Sequence, residues 1–171
     1  MATTSLARAI ATFGYVGCLR PAPGTWGSLV AALLAPVLHL VGGWPLLAAM
    51  AALAFAVGLW AARRETGPGR EDPSEIVIDE VAGQWIALLP WALFMPPDGP
   101  LSGEALGWVA AAFLAFRLFD IWKPWLVGRM DARHDAFGLM ADDAVAGVFA
   151  WVIYLPAAVL SLAHSGTVAP A

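Results

Sequence analysis

The sequence predicts an all-α fold: a multi-helical bundle, a polytopic integral membrane protein with about four to five apolar helices. Two observations predict it. Hydrophobic residues make up 60% of the chain and charged residues 13%, far from the roughly one quarter charged in an ordinary soluble domain. The mean hydropathy is +0.73, with nine Trp and a single Lys.

Five apolar stretches account for the predicted helices. The first runs from about Ser28 to Val41 and ends at Gly42-Gly43. The second, Trp44 to Ala62, stops at Arg63-Arg64. The third runs from Val81 to about Met95, before Pro96-Pro97-Asp98-Gly99-Pro100. The fourth covers Leu106 to Trp122 and ends at Lys123-Pro124, since proline ends or bends a helix. The fifth spans Ala144 to Ala163 and contains Pro156. Only the second and fifth approach the roughly 20 residues that a bilayer crossing needs. The 171 residues suit one domain, with residues 1–13 and 165–171 at its edges. Residues 1–13 lack the apolar core and small-residue cleavage site of a signal peptide.

Charge placement orients the helices. The basic residues are Arg8 and Arg20; Arg63, Arg64 and Arg70; and Arg117, Lys123, Arg129 and Arg133. Neither the turn at Gly42-Gly43 nor that from Pro96 to Gly103 holds one. If stretches one and two form a hairpin, and three and four another, every basic residue lies on one side. The positive-inside rule makes that side cytoplasmic. A net charge of -4 argues against nucleic acid as a partner. The single Cys18 excludes an internal disulfide and a cysteine-rich metal site.

The same side collects two near-copies of one acidic phrase, Asp79-Glu80-Val81-Ala82-Gly83 and Asp143-Ala144-Val145-Ala146-Gly147, the second preceded by Asp142. Carboxylates at the edge of an apolar phase stay ionised only when a cation or strong donors compensate them. Read structurally, acids at two helix N-termini each gain about 0.3–1 kcal/mol from the macrodipole. Four like charges on one face ask for more, and oxygen-only ligands favour Mg²⁺ or a similar hard ion. Between the phrases, Arg117, Asp120 and Lys123 are spaced three apart, so on a helix they share a broad face. They form either a surface ion-pair ladder or a pair of phosphate donors beside an acid. Near the N-terminus, Pro23-Gly24-Thr25-Trp26-Gly27-Ser28 opens the first apolar helix. Its free N–H groups, with Thr25 and Ser28, make either a helix cap or an anion site. The chain holds no G-x-x-x-x-G-K-[ST] loop and places only His134 on the polar side, so metal-assisted attack of water is the chemistry left.

In this order the motifs resemble the phosphatidylglycerophosphatase A family of bacterial membrane phosphatases. The matching text is Gly14-Tyr15-Val16-Gly17 with Pro23 to Ser28, Asp72-Pro73 with Ile76 to Trp85, Phe116 to Trp125, and Gly138 to Asp143 with Val145-Ala146-Gly147. The departures are Asp135-Ala136, where members usually carry two glycines, and Leu126, where a second proline is common. The resemblance implies one all-helical domain over residues 1–171 in the bacterial inner membrane, its site facing the cytoplasm. It implies Mg²⁺-dependent hydrolysis of phosphatidylglycerol phosphate, drawn from among the membrane lipids, to phosphatidylglycerol and inorganic phosphate. Asp79, Glu80, Asp142 and Asp143 match its acidic motifs and would bind the metal. Asp120 matches its central motif and would join the catalytic acids. Arg117 and Lys123, with Gly24, Thr25 and Ser28, would hold the substrate phosphate. Two other readings fit less of the sequence: a small cation carrier, and a phosphotransferase acting on CDP-activated lipids, whose Asp-Gly-x-x-Ala-Arg signature is missing.

Overall fold

A computed structural model describes residues 2–66, 74–94 and 98–165. Arg70, the Asp72-Pro73 motif, Pro96-Pro97 and the tail beyond Ser165 lie outside the described residues. The chain is all-helical, with no strand among the described residues. In order the helices are α1 (Ala2–Ala11), α2 (Pro23–Glu65), α3 (Ile78–Ala87), α4 (Leu89–Leu93), α5 (Gly103–Trp122), α6 (Leu126–Asp131) and α7 (Ala136–Ser165), with a single 3₁₀ turn at Val16–Cys18. Three of these, α2, α5 and the Ala136–Pro156 part of α7, are long and apolar enough to cross a membrane.

Helix α2 holds the first two predicted stretches. Gly42 and Gly43 leave helical geometry inside it, and Gly43 takes φ 64°, which a glycine adopts at little steric cost. Gly27, in the first arm, packs on Val77, and Gly58, in the second, packs on the adjoining Ile78. A straight helix would hold Gly27 and Gly58 about 45 Å apart. The helix therefore folds back at Gly42-Gly43 as a hairpin, each arm about 30 Å long and comparable with the hydrocarbon core of a bilayer.

The third predicted stretch is two helices. Pro90 has no N–H to give the Ile86 carbonyl, and the chain breaks at Leu88. The freed acceptors are met from α7: Trp151 Nε1 donates to the Ile86 carbonyl at 2.9 Å, and the Tyr154 hydroxyl donates to that of Ala87. Helix α5 starts where Ser102 Oγ accepts from the Ala105 N–H at 3.1 Å, and ends at Lys123, whose φ of 49° stops it before Pro124.

Helix α7 corrects the fifth stretch. It begins at Ala136, not at Ala144, because Asp135 caps it: Asp135 Oδ1 accepts from the Gly138 N–H at 2.7 Å. Asp142 and Asp143 thus sit in the helix interior, whereas Asp79 and Glu80 occupy the first turn of α3 as the sequence predicts. Residues 2–11, expected at the edge of the domain, form α1, which buries Ala7 and Ala11 and packs on α2.

The two acidic phrases cross at their glycines. A Cβ on Gly83 would meet the Asp143 carbonyl oxygen at 2.6 Å, and one on Gly147 would run into the Gly83 carbonyl oxygen. Helices α3 and α7 thus touch backbone to backbone, as small residues allow in membrane bundles. Gly147→Ala gains about 1 kcal/mol of helix propensity, but its methyl drives into backbone, where overpacking costs about 1–3 kcal/mol. We expect Gly147→Ala and Gly83→Ala each to lower the melting temperature in detergent, and Gly103→Ala, in open space at the start of α5, to leave it unchanged or raised.

Candidate active site

The start of α2, the start of α3, the end of α5 and the first turns of α7 meet at one end of the bundle. The ion pairs gather there too: Arg8 and Arg20 with Glu75, Arg117 with Asp120, Lys123 with Asp131 and Asp142, and Arg133 with Asp135.

The α3–α7 crossing sets the centre of this end. It brings carboxylate oxygens of Asp79, Glu80 and Asp143 within 4.8 Å of one another. Asp79 is 4% exposed and Asp143 3%, so these acids are buried by protein rather than displayed on a face. Asp142 is also buried, but its Oδ2 turns to Lys123 Nζ at 3.1 Å, while its Oδ1 accepts from the Asp143 N–H. Asp120 lies within the electrostatic reach of Glu80 and Asp143 and is bound to Arg117 Nη1 at 2.6 Å.

The Pro23-to-Ser28 turn closes the other side. Gly24 lies so close to Glu80 Oε1 that any Cβ there would collide with it, and the Arg117 guanidinium flanks the same spot. Ser28 is fully buried, its hydroxyl donating to the Gly24 carbonyl at 2.8 Å and accepting from Arg117 Nη1 at 3.3 Å. Ser28 thus holds the Arg117 guanidinium from the protein interior. Thr25 is half-buried in the same turn. Lys123 reaches the site from the opposite side, held by Asp131 and Asp142.

Electrostatics follow from burial. Desolvation holds the Asp79 carboxyl well above the usual range, and the neighbouring Glu80 charge adds to it. Glu80 is pushed up to about 8, first by burial, with Asp143 and Asp120 adding repulsion, while the Asp79 contact and the Arg117 charge pull the other way. Burial alone would lower Lys123, but the Asp131 and Asp142 carboxylates reverse this and hold it above its ordinary value. Glu80 Oε2 and Arg117 Nε are buried with no hydrogen-bond partner. A small cluster of oxygen ligands, like-charged and short of donors, fits a hard divalent cation such as Mg²⁺.

Asp131 has a place in the site that its sequence context does not signal, because α6 turns the chain back before it pairs with Lys123.

The model of the family described as phosphatidylglycerophosphatase A matches residues 9–158, nearly the whole chain. The chain belongs to the phosphatidylglycerophosphatase A family. It is 33% identical over 139 residues to a Haemophilus influenzae protein named phosphatidylglycerophosphatase A, covering 80% of this chain and 79% of the relative. The Escherichia coli protein of that name is 35% identical over 137 residues, with 77% and 72% covered. A Bacteroides thetaiotaomicron protein with the provisional name phosphatidylinositol-3-phosphatase is 37% identical over 136 residues, with 77% and 80% covered. No solved structure matches the chain. Phosphatidylglycerophosphatases A are phosphoric monoester hydrolases, and membership with these apolar helices makes the chain a membrane-bound enzyme of that class.

Glu80 yields a pH test. An acid whose folded pKa is raised destabilises the fold once the unfolded chain ionises, so metal-free protein loses stability as pH rises above about 4.5 and levels off beyond about 8. The melting temperature of chelator-treated protein is expected to fall between pH 5 and 8. The fall is expected to be smaller in Glu80→Gln and in Mg²⁺; the same slope in all three would contradict the burial argument.

Proposed function

We propose that the chain hydrolyses the terminal phosphate of phosphatidylglycerol phosphate in an Mg²⁺-dependent reaction at the cytoplasmic face of the bacterial inner membrane. The observation that carries this reading is the convergence of Asp79, Glu80 and Asp143 oxygens within 4.8 Å, flanked by Arg117 and Lys123, in a member of this family. Asp79, Glu80 and Asp143 would hold Mg²⁺, which when bound neutralises phosphoryl charge and acidifies a water.

The chain's own residues do the rest. Arg117, aimed by Ser28 and Asp120, donates to the phosphate oxygens, and Lys123 supplies a second positive charge. Gly24 and Thr25, at the open start of α2, offer backbone N–H groups to the same anion. Asp120 accepts the proton of the attacking water as its oxygen bonds phosphorus. The P–O bond to glycerol breaks, the departing alkoxide takes a proton from solvent water and Asp120 returns its proton to solvent, leaving phosphatidylglycerol and inorganic phosphate.

Aromatic placement supports the topology. Exposed Trp26, Trp60, Trp122 and Trp125 lie near the polar end, and exposed Trp44 lies at the far turn of the α2 hairpin. Such side chains favour the two bilayer interfaces. Both arms of α2, with α5 and α7, would cross between them, and the basic residues of the polar end favour the cytoplasmic side for it.

Phosphate release from the lipid, followed with and without Mg²⁺, tests the reading. Asp79→Asn, Glu80→Gln and Asp143→Asn are each expected to lower kcat/KM at least about 100-fold, near 3 kcal/mol of transition-state stabilisation. Asp142→Asn is expected to cost less, and to add little to Lys123→Ala because the two side chains act as a pair. Full activity in chelator would remove Mg²⁺ from the proposal, and hydrolysis of phosphatidylinositol 3-phosphate in preference would replace the substrate.

A further inference from the structure

Gln84 belongs to the motif that carries Asp79 and Glu80, yet it has no part in holding the metal or the phosphate. It is fully buried, and both its Oε1 and its Nε2 lack a hydrogen-bond partner. An amide kept out of water with neither group paired is costly, and buried polar groups in native proteins are nearly always satisfied.

Its direction follows from its neighbours on α3. Glu80, one turn earlier, shares its face and meets Gly24 and Arg117. Trp85, next along, faces the first arm of α2 and donates to the Ala31 carbonyl at 3.0 Å. Gln84 lies between these directions, toward the seam between that arm and α5. Helix α5 packs chiefly on α7 and only lightly on α2. At its polar end this seam is tied by the contact of Arg117 with Ser28. Near this seam, Glu80 Oε2 and Arg117 Nε are also buried without partners. The unmet hydrogen-bonding capacity thus continues from the acid cluster one helical turn further along α3.

We propose that Gln84 binds a hydroxyl of the alcohol that carries the scissile phosphate. A carboxamide offers a donor and an acceptor and so complements a hydroxyl, which has both. A site built this way rejects an analogue lacking the hydroxyl, because its own buried groups are then left unpaired. The inference rests on the phosphatidylglycerol phosphate reading, in which a glycerol hydroxyl adjoins the phosphate ester.

The test compares phosphate release from phosphatidylglycerol phosphate and from a deoxy analogue in which that hydroxyl is replaced by hydrogen. Wild-type protein, Gln84→Met and Gln84→Asn are compared in mixed micelles, with melting temperatures alongside. The wild type is expected to prefer the hydroxylated lipid about tenfold in kcat/KM. Gln84→Met is expected to erase most of that preference without lowering the melting temperature, since it fills similar space and removes the unpaired amide. Gln84→Asn, which keeps the amide, is expected to retain part of it. Equal rates of the two lipids in the wild type would overturn the inference while leaving the phosphatase reading intact, and need no variant to fold. A uniform loss on both lipids in Gln84→Met would overturn it equally, by showing a structural role. Hydrolysis of neither lipid would remove the functional reading and this inference together.

Discussion

The contact on which the site depends is the crossing of α3 and α7 at Gly83 and Gly147. Each glycine lets the opposing backbone approach where a methyl would not fit. Each stands four residues after an aspartate, Asp79 in one helix and Asp143 in the other, so each acid lies about one turn from the closest approach of the two helix axes. A wider crossing would separate these carboxylates, and no side-chain rotation would make up the distance. The near-repeat of the two phrases thus has a physical use: the same acid-to-glycine spacing in both strands of the crossing brings the two acids together. The bundle around it is built on the same principle. Its interior is rich in buried alanine, including Ala31, Ala35, Ala51, Ala61, Ala82, Ala112, Ala146 and Ala150. Between helices surrounded by lipid, close backbone approach replaces the apolar driving force that would hold a soluble core.

Such a crossing concentrates like charge where water cannot screen it. The fold answers on the flanks and leaves the middle open. Asp120 has Arg117, and Asp142 has Lys123, whereas Asp79, Glu80 and Asp143 form no ion pair of their own and only Glu80 feels the nearby Arg117 charge. The arrangement of cations is therefore as informative as that of acids. Had Arg117 or Lys123 been seated among the three, the cluster would be a closed ion-pair network. Instead the two cations stand at its edge, each held by an acid of its own. Ser28 and Asp131 are the residues that keep them there.

Much of this was legible in the sequence, for identifiable reasons. Long apolar stretches and their punctuation reveal helices because proline and paired glycine act locally: Gly42-Gly43 turns the α2 hairpin, and α5 stops before Pro124. The acidic phrases stand out because charge is scarce in such a chain. Boundaries set by hydrogen bonds were less visible. Helix α7 starts at its Asp135 cap, well before its apolar stretch, so hydropathy misplaced Asp142 and Asp143 at a helix end. The break at Leu88 lies inside an unbroken apolar run, where Pro90 alone marks it. The pairing of Ser28 with Arg117 joins residues 89 apart in sequence and becomes visible only once the helices are packed. The role of the glycines was hidden by their number, since 17 of the 171 residues are glycine and composition alone singles out none of them.

The position of the site along the bundle follows from the same forces. Ionised carboxylates at the middle of an apolar body would face desolvation with no cation in reach, whereas the polar end lies where basic side chains can arrive from solvent. A lipid phosphate is confined to that same boundary by its own charge, while its chains remain in the bilayer. An enzyme that cleaves it therefore needs acids deep enough to be dehydrated yet close enough to the interface to receive a charged group. The first turn of α3 and the Asp142-Asp143 turn of α7 meet both conditions: their acids are shielded by neighbouring helices, and Arg117 and Lys123 stand beside them. The hydrophobic burial that makes the bundle and the electrostatic demand that makes the site thus meet at one level of the structure, the level set by the α3–α7 crossing.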